Sequence, residues 1–190
     1  MIDARDRTAV VVAVVLAVAS PAAAATLADV ELPDQVKVGD VTLTLNGLGL
    51  REATFLKVDV YVAGLYLRSA SSDADAILAS DGPKLLHMHF LRKVGRDDIT
   101  KAWSEGFAKN LGAEASALKG DVARLNGWME DMGKGDSLRF TWSADGGVEV
   151  SVKGSRRGAI EDPAFARGLL AVFLGPEPPN PGLKQGLLGR

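Results

Sequence analysis

The sequence predicts an α+β domain, an antiparallel sheet with its helices gathered on one face. Three observations carry that prediction. Apolar and polar residues alternate along several short runs before residue 95 and again between residues 138 and 152, the period of half-buried strands. Stretches opening at Asp97 and at Asp162 instead carry apolar residues four apart, the spacing of one helix face. The resulting order is strands, two helices, a hairpin, then two more helices.

The first 25 residues stand apart. Arg5 and Arg7 make a short positive start, Ala9 to Ala19 is an uninterrupted apolar run, Ser20-Pro21 breaks it, and Ala22 to Ala25 are small. These are the three regions of a secretory signal peptide cleaved near Ala25. The apolar run is shorter than the roughly 20 residues that span a bilayer. Residues 1–25 are therefore expected to be a signal peptide and 26–190 a single domain. The mature protein is expected to be soluble, periplasmic and monomeric, with no stable membrane span.

Thr26 to Gln35, with Pro33, reads as an irregular lead-in. Val36 to Val38 and Val41 to Leu45 alternate on either side of Gly39-Asp40, a two-residue hairpin signal. The stretch from Leu45 to Tyr66 is expected to organise the fold. It is read as a turn at Gly47 and Gly49, with Arg51 at its exit, followed by one long strand. Along that strand Leu56, Val58, Val60 and Val62 alternate with Phe55, Lys57, Asp59 and Tyr61, giving one apolar and one mixed face. Ala74 to Leu78 suits a short helix. Lys84 to Val94 reads as a strand apolar on both faces, hence central and covered on both sides.

Asp97-Asp98 suits a helix start, Ile99, Trp103, Phe107 and Leu111 form its stripe, and Gly112 ends it. A second helix is expected from Glu114 to Met132, stopped by Gly133. Leu138, Phe140 and Trp142 alternate with Arg139 and Thr141, Ala144 to Gly147 turn the chain, and Val148, Val150 and Val152 return. Asp162-Pro163 and Asn180-Pro181 each start a helix, the first striped by Phe165, Leu169 and Phe173.

Composition excludes several chemistries. Net charge is −2 and there is no cysteine. No basic field exists to hold nucleic acid, and disulfides, thiolate nucleophiles and cysteine-ligated metals are ruled out. His87 and His89 share a strand face, but two ligands do not make a metal site, so they are read as satisfied core or surface histidines. The segment from Gly154 to Gly158 has two arginines but lacks the lysine and the context of a phosphate loop, and no G-x-S-x-G is present. Neither a metal nor a cofactor is expected. What remains is a polar set, Arg51, Lys57, Asp59 and Tyr61, beside an apolar sheet. Arginine grips a carboxylate or enolate bidentately, and tyrosine donates to an oxyanion. Such parts suit the head group of a fatty acid or a phenolate.

LNGLGLR followed by KVDVYVAGLYL resembles the chalcone isomerase-like superfamily, in its small secreted bacterial branch, and FLGPEPPNPGLKQGLLG is similar to that branch's closing helices. The resemblance covers about Val36 to Leu188. It implies an open-faced β-sandwich, a long antiparallel sheet backed by helices with a cleft between. Members of the superfamily include plant enzymes that close chalcones to flavanones and relatives that bind fatty acids without catalysis. The cleft arginine of both groups matches Arg51, and a threonine of the enzymes matches the position of Tyr61. The enzymes also use a tyrosine and, seven residues later, an asparagine on the first long helix. Arg96 to Glu105 contains neither, and the acids at that spacing, Asp98 and Glu105, would repel a phenolate. The resemblance implies a small amphiphilic or carboxylate ligand held by Arg51, Lys57, Asp59 and Tyr61. Two alternatives are an isomerase of the intramolecular lyase type, with Arg51 and Tyr61 as its catalytic residues, and a non-catalytic interaction module.

Overall fold

A computed structural model of the chain describes residues 24–53 and 58–190. The signal-peptide reading falls almost wholly on residues outside that range, as do Phe55, Leu56 and Lys57.

Among the described residues seven strands form one antiparallel sheet in sequence order. They are β3 (Gln35–Val38), β4 (Val41–Ala53), β5 (Val58–Leu67), β6 (Lys84–Phe90), β7 (Ser137–Trp142), β8 (Val148–Val152) and β9 (Ser155–Ile160). Every neighbour in the sheet is also a neighbour in the chain, so each pairing closes by a hairpin or by a helical excursion that returns beside its start. Two shorter strands, β1 (Ala24–Leu27) and β2 (Val30–Pro33), form a separate hairpin. Among the described residues the α-helices are α1 (Ala74–Ala79), α2 (Arg96–Leu111), α3 (Lys119–Gly127), α4 (Pro163–Leu174) and α5 (Pro181–Leu187). None is long and apolar enough to cross a membrane.

The principal core lies between the sheet and α2, α3 and α4. Odd-numbered residues of β5 and even-numbered residues of β6, β7 and β8 meet the stripes Ile99-Trp103-Phe107 and Phe165-Leu169-Phe173 there. Phe107 stacks on Phe165 with ring centroids 5.2 Å apart. Asp162 caps α4, accepting from the N–H of Ala164 at 2.7 Å and of Phe165 at 3.3 Å. Asp97 and Asp98 lie in the first turn of α2, as expected, but neither caps it. Gly95 occupies the cap position, and the first free N–H, that of Arg96, is satisfied by Asp131 at 2.9 Å from 35 residues away.

Four expectations are corrected. Thr26 to Gln35 is no irregular lead-in, because β1 and β2 form a hairpin whose Val30 and Leu32 pack on Val62, covering part of the second face of the sheet. Gly47 and Gly49 do not turn the chain. They lie inside the 13-residue β4, which pairs with β5 from Thr44 to Ala53. Their lack of a side chain serves close approach: a Cβ on Gly49 would come within 2.9 Å of Leu183 Cδ1, one on Gly47 within 2.8 Å of the Gly189 nitrogen, and one on Gly186 within 2.7 Å of the Gly49 Cα. The backbone of α5 thus rests directly on β4. The long helix expected over residues 114–132 is broken into a 3₁₀ turn at Gly112–Ser116 and the short α3. Met129 and Met132 remain buried beyond its end, and Met132 exchanges both backbone hydrogen bonds with Val94 at 2.9 Å. Finally, the hairpin of β7 and β8 gains an edge strand, β9, from the arginine-bearing segment after Gly154.

The second face of the sheet is more polar. On β6, His87 stands in register with Gly64 on one side and Arg139 on the other. It is 8% exposed and its Nε2 lacks a partner, so it is a buried histidine but not the satisfied one expected. Burial, then Arg139 and His89, lowers its pKa to about 4. Nearby Tyr66 is fully buried with an unpartnered hydroxyl, and burial pushes its pKa up to about 12 against the opposing pull of Arg139. Among the described residues no group of three or more His, Asp or Glu is placed to hold a metal.

Candidate functional site

A cleft of about 300 Å³ opens between the sheet and α2, at one end of the principal core. Its floor is the end of β5 and β6, its wall is α2, its back is Val172 of α4, and its far rim is the link Glu177-Pro178-Pro179. The volume lies at the lower end of the ~300–1,000 Å³ usual for small-ligand pockets.

Arg51 and Tyr61 enter it from adjacent strands. They are directly paired across β4 and β5, so their side chains leave the same face of the sheet about 5 Å apart at their origins. Arg51 is half-buried and donates through Nη1 to the carbonyl of Glu52. Tyr61 is 8% exposed and its ring tilts against Phe90, with centroids 5.6 Å apart. Burial holds the phenol well above the ordinary tyrosine range, opposed only in part by the Arg51 charge. Tyr61 is therefore a neutral donor at any physiological pH.

The register then slips. Arg51 pairs with Tyr61 but Glu52 pairs with Asp59, leaving Val60 as an extra residue. Such a bulge breaks the two-residue alternation. Val60 and Tyr61, consecutive in sequence, both line the cleft. Asp59, which strict alternation would put on the Tyr61 face, is exposed and not among the lining residues. Lys57 lies outside the described residues.

The rest of the lining comes mainly from α2, whose Ile99 and Trp103 the sequence marks as core and whose Asp98 and Glu105 it marks as acids that would repel a phenolate. Ile99 and Trp103 supply apolar surface, and Gly106 lets α4 close the back, since a Cβ there would come within 2.7 Å of Val172 Cγ1. The exposed side of the cleft carries Asp98, Glu105, Lys109 and Glu177. Lys109 pairs with Glu105 at 3.6 Å, which leaves Arg51 as the one cation of the lining not matched to a carboxylate among the described residues. The link at the rim is pinned. Asn110 accepts from the N–H of Glu177 and donates to its carbonyl, both at 3.0 Å, while Asn180 donates to the carbonyl of Leu50 at 3.1 Å.

An ordered antiparallel meander with helices on one face and a cleft between the layers is an open-faced β-sandwich. The chain belongs to the chalcone isomerase-like family, whose sequence model matches residues 24–189. Among solved structures it is similar to a fatty-acid binding protein of Arabidopsis thaliana, with a TM-score of 0.70 at 16% identity, over 87% of this chain and 96% of that one. At that identity the likeness is one of fold. No curated protein sequence matches the chain.

Proposed function

We propose that the protein binds a small carboxylate amphiphile, a fatty acid in the first instance, with the carboxylate between Arg51 and Tyr61 and the chain along the apolar floor. One observation carries the reading: a charged guanidinium and a neutral phenol are paired across two strands at the edge of a cleft whose inner lining, away from the acids on its exposed side, is apolar. Arginine gives the carboxylate a bidentate, charge-assisted partner, and the protonated phenol adds a donor without adding charge. Asp98, Glu105 and Glu177 disfavour an anion anywhere else along the lining, so they orient the ligand. The same acids make a phenolate product a poor fit, and this favours binding over chalcone cyclisation. The fatty-acid binding neighbour supports the reading at the level of the fold.

Titration calorimetry with decanoate tests it. Wild type is expected to bind, and Arg51→Gln to weaken binding about 10- to 100-fold, the worth of a hydrogen bond to a charged group at ~1.5–3 kcal/mol. Unchanged affinity in Arg51→Gln, or no binding by wild type, overturns the reading. We further propose that residues 1–25 direct export to the periplasm. N-terminal sequencing of the protein recovered from that compartment should begin near Thr26, and recovery only from the cytoplasm would refute it.

A further inference from the structure

Two small residues open the cleft along α2. Asp98, Ala102 and Gly106 line it at intervals of four, which stacks them on one side of the helix. Ala102 is exposed and Gly106 has no side chain. A channel is thereby left between the helix and the floor of Val60, Met88 and Phe90. On its deep side the channel is closed. Val172 presses on Gly106, with its Cγ1 2.7 Å from where a Cβ would stand. Trp103 is 5% exposed, and its unpartnered Nε1 has under 1 Å² of accessible surface, so no opening continues past the indole. Phe140 and Phe173 pack on that ring with centroids at 5.4 and 5.8 Å.

Volume and length agree on what this channel holds. The cleft encloses about 300 Å³. A methylene fills close to the ~30 Å³ that a water takes up in the liquid, which leaves room for roughly ten chain atoms. The apolar and small lining residues of α2 run from Ile99 to Gly106, a rise of about 10 Å over their seven residue steps. An extended chain advances roughly 1.2 Å per bond, a third of the span of one residue, so that length takes about nine bonds. Beyond these limits a chain meets water and the exposed carboxylates of Asp98, Glu105 and Glu177. A further methylene there leaves no water behind and gains nothing.

We propose that the cleft selects by chain length: it takes one unbranched acyl chain of about ten carbons and gains nothing from a longer one. Its ligands are then medium-chain rather than long-chain acids. The inference rests on the carboxylate reading above and narrows its ligand class. Ala102 is the specificity-determining residue, because a larger side chain at that exposed position occupies the channel from its solvent side, away from the packed core.

Titration calorimetry with the straight-chain acids from hexanoate to tetradecanoate tests the proposal. For wild type, each methylene up to decanoate is expected to tighten binding about fourfold, the worth of burying one CH₂. Tetradecanoate is expected to bind within about threefold of decanoate, since its last four carbons stay in water. A rise that continues at the same steepness to tetradecanoate overturns the length limit and leaves the carboxylate site standing. Equal affinities for hexanoate and decanoate do the same, because the chain then lies outside the cleft. Ala102→Leu adds three side-chain carbons at an exposed helical position that leucine suits. It is expected to bring the plateau down by about three carbons, and a plateau still at decanoate overturns the channel along α2. Failure of every acid to bind overturns the carboxylate reading and the length limit with it.

Discussion

His87 should make the stability of this protein depend on pH in a way that one substitution removes. The side chain is 8% exposed, sits between Gly64 and Arg139 in the sheet, and has no partner on Nε2. Its folded pKa is lowered to about 4 from 6.5, by burial first and then by the Arg139 and His89 charges. A depressed histidine pKa means the fold tolerates only the neutral ring. Between pH 6.5 and 4 the unfolded chain therefore takes up a proton that the folded chain refuses, and stability rises with pH across that window. The contribution is complete above pH 6.5 and lost on descent toward pH 4. With both values inserted in the linkage relation, the loss from pH 7 to pH 5 is about 2 kcal/mol, and the steepest slope is ~1.2 kcal/mol per pH unit. Urea unfolding at pH 7, 6 and 5 measures it, with His87→Leu as the reference, because the carboxylates titrate alike in both proteins. The wild-type and His87→Leu stabilities should diverge by that amount as pH falls. Parallel pH profiles would refute the assignment of a buried, neutral His87.

Two further outcomes follow from the packing around the cleft. Gly49→Ala should cost about 1–3 kcal/mol by overpacking, seen as a melting point lower by several degrees, because the new methyl meets the backbone and side chain of Leu183 in a helix that has no room to retreat; a melt identical to wild type would mean α5 does not rest on β4 as described. Asn110→Ala removes both hydrogen bonds to Glu177, so it should lower stability by about 1–2 kcal/mol and weaken decanoate binding several-fold by loosening the rim, with unchanged calorimetric affinity counting against the pinned link.

The architecture was legible because its signals are local. The Gly39-Asp40 turn stands between Val38 and Val41 as its flanking alternation implies, with Gly39 at φ +57°. The covered strand expected over residues 84–94 follows from apolar residues on both faces and is present over 84–90, ending four residues early. The starts of α4 and α5 follow from Asp162-Pro163 and Asn180-Pro181. What escaped was decided by distant partners. Gly47 and Gly49 look like turn residues from their neighbours, and only α5, more than 130 residues later, shows that they clear space for a helix. The break after Gly127 depends on Met132 pairing with Val94, a contact no periodicity records. The edge strand β9 carries Arg156 and Arg157 where an interior strand would carry apolar residues. Charges of that kind guard an edge against further pairing, and they also erase the alternation that marks a strand.

The cleft shows the same division within a single strand. Counting by twos from Tyr61 selects Asp59 and Lys57 as its companions, and that count holds only for a strand without a bulge. The slip at Arg51/Glu52 makes Val60 the companion of Tyr61 and takes Asp59 out of the lining. A bulge has no sequence signature when the extra residue is valine, a strong strand former. Its consequence is chemical: the carboxylate that counting would place beside Arg51 is gone from the cleft, so the guanidinium keeps its charge for a ligand. The reverse happens on α2, where the helical count correctly makes Trp103 a core residue yet cannot say that its N–H goes unanswered. Periodicity reports which side of an element faces inward. Whether an inward polar atom meets a partner depends on the register and spacing of the opposite layer, and in this protein those two quantities define the cleft.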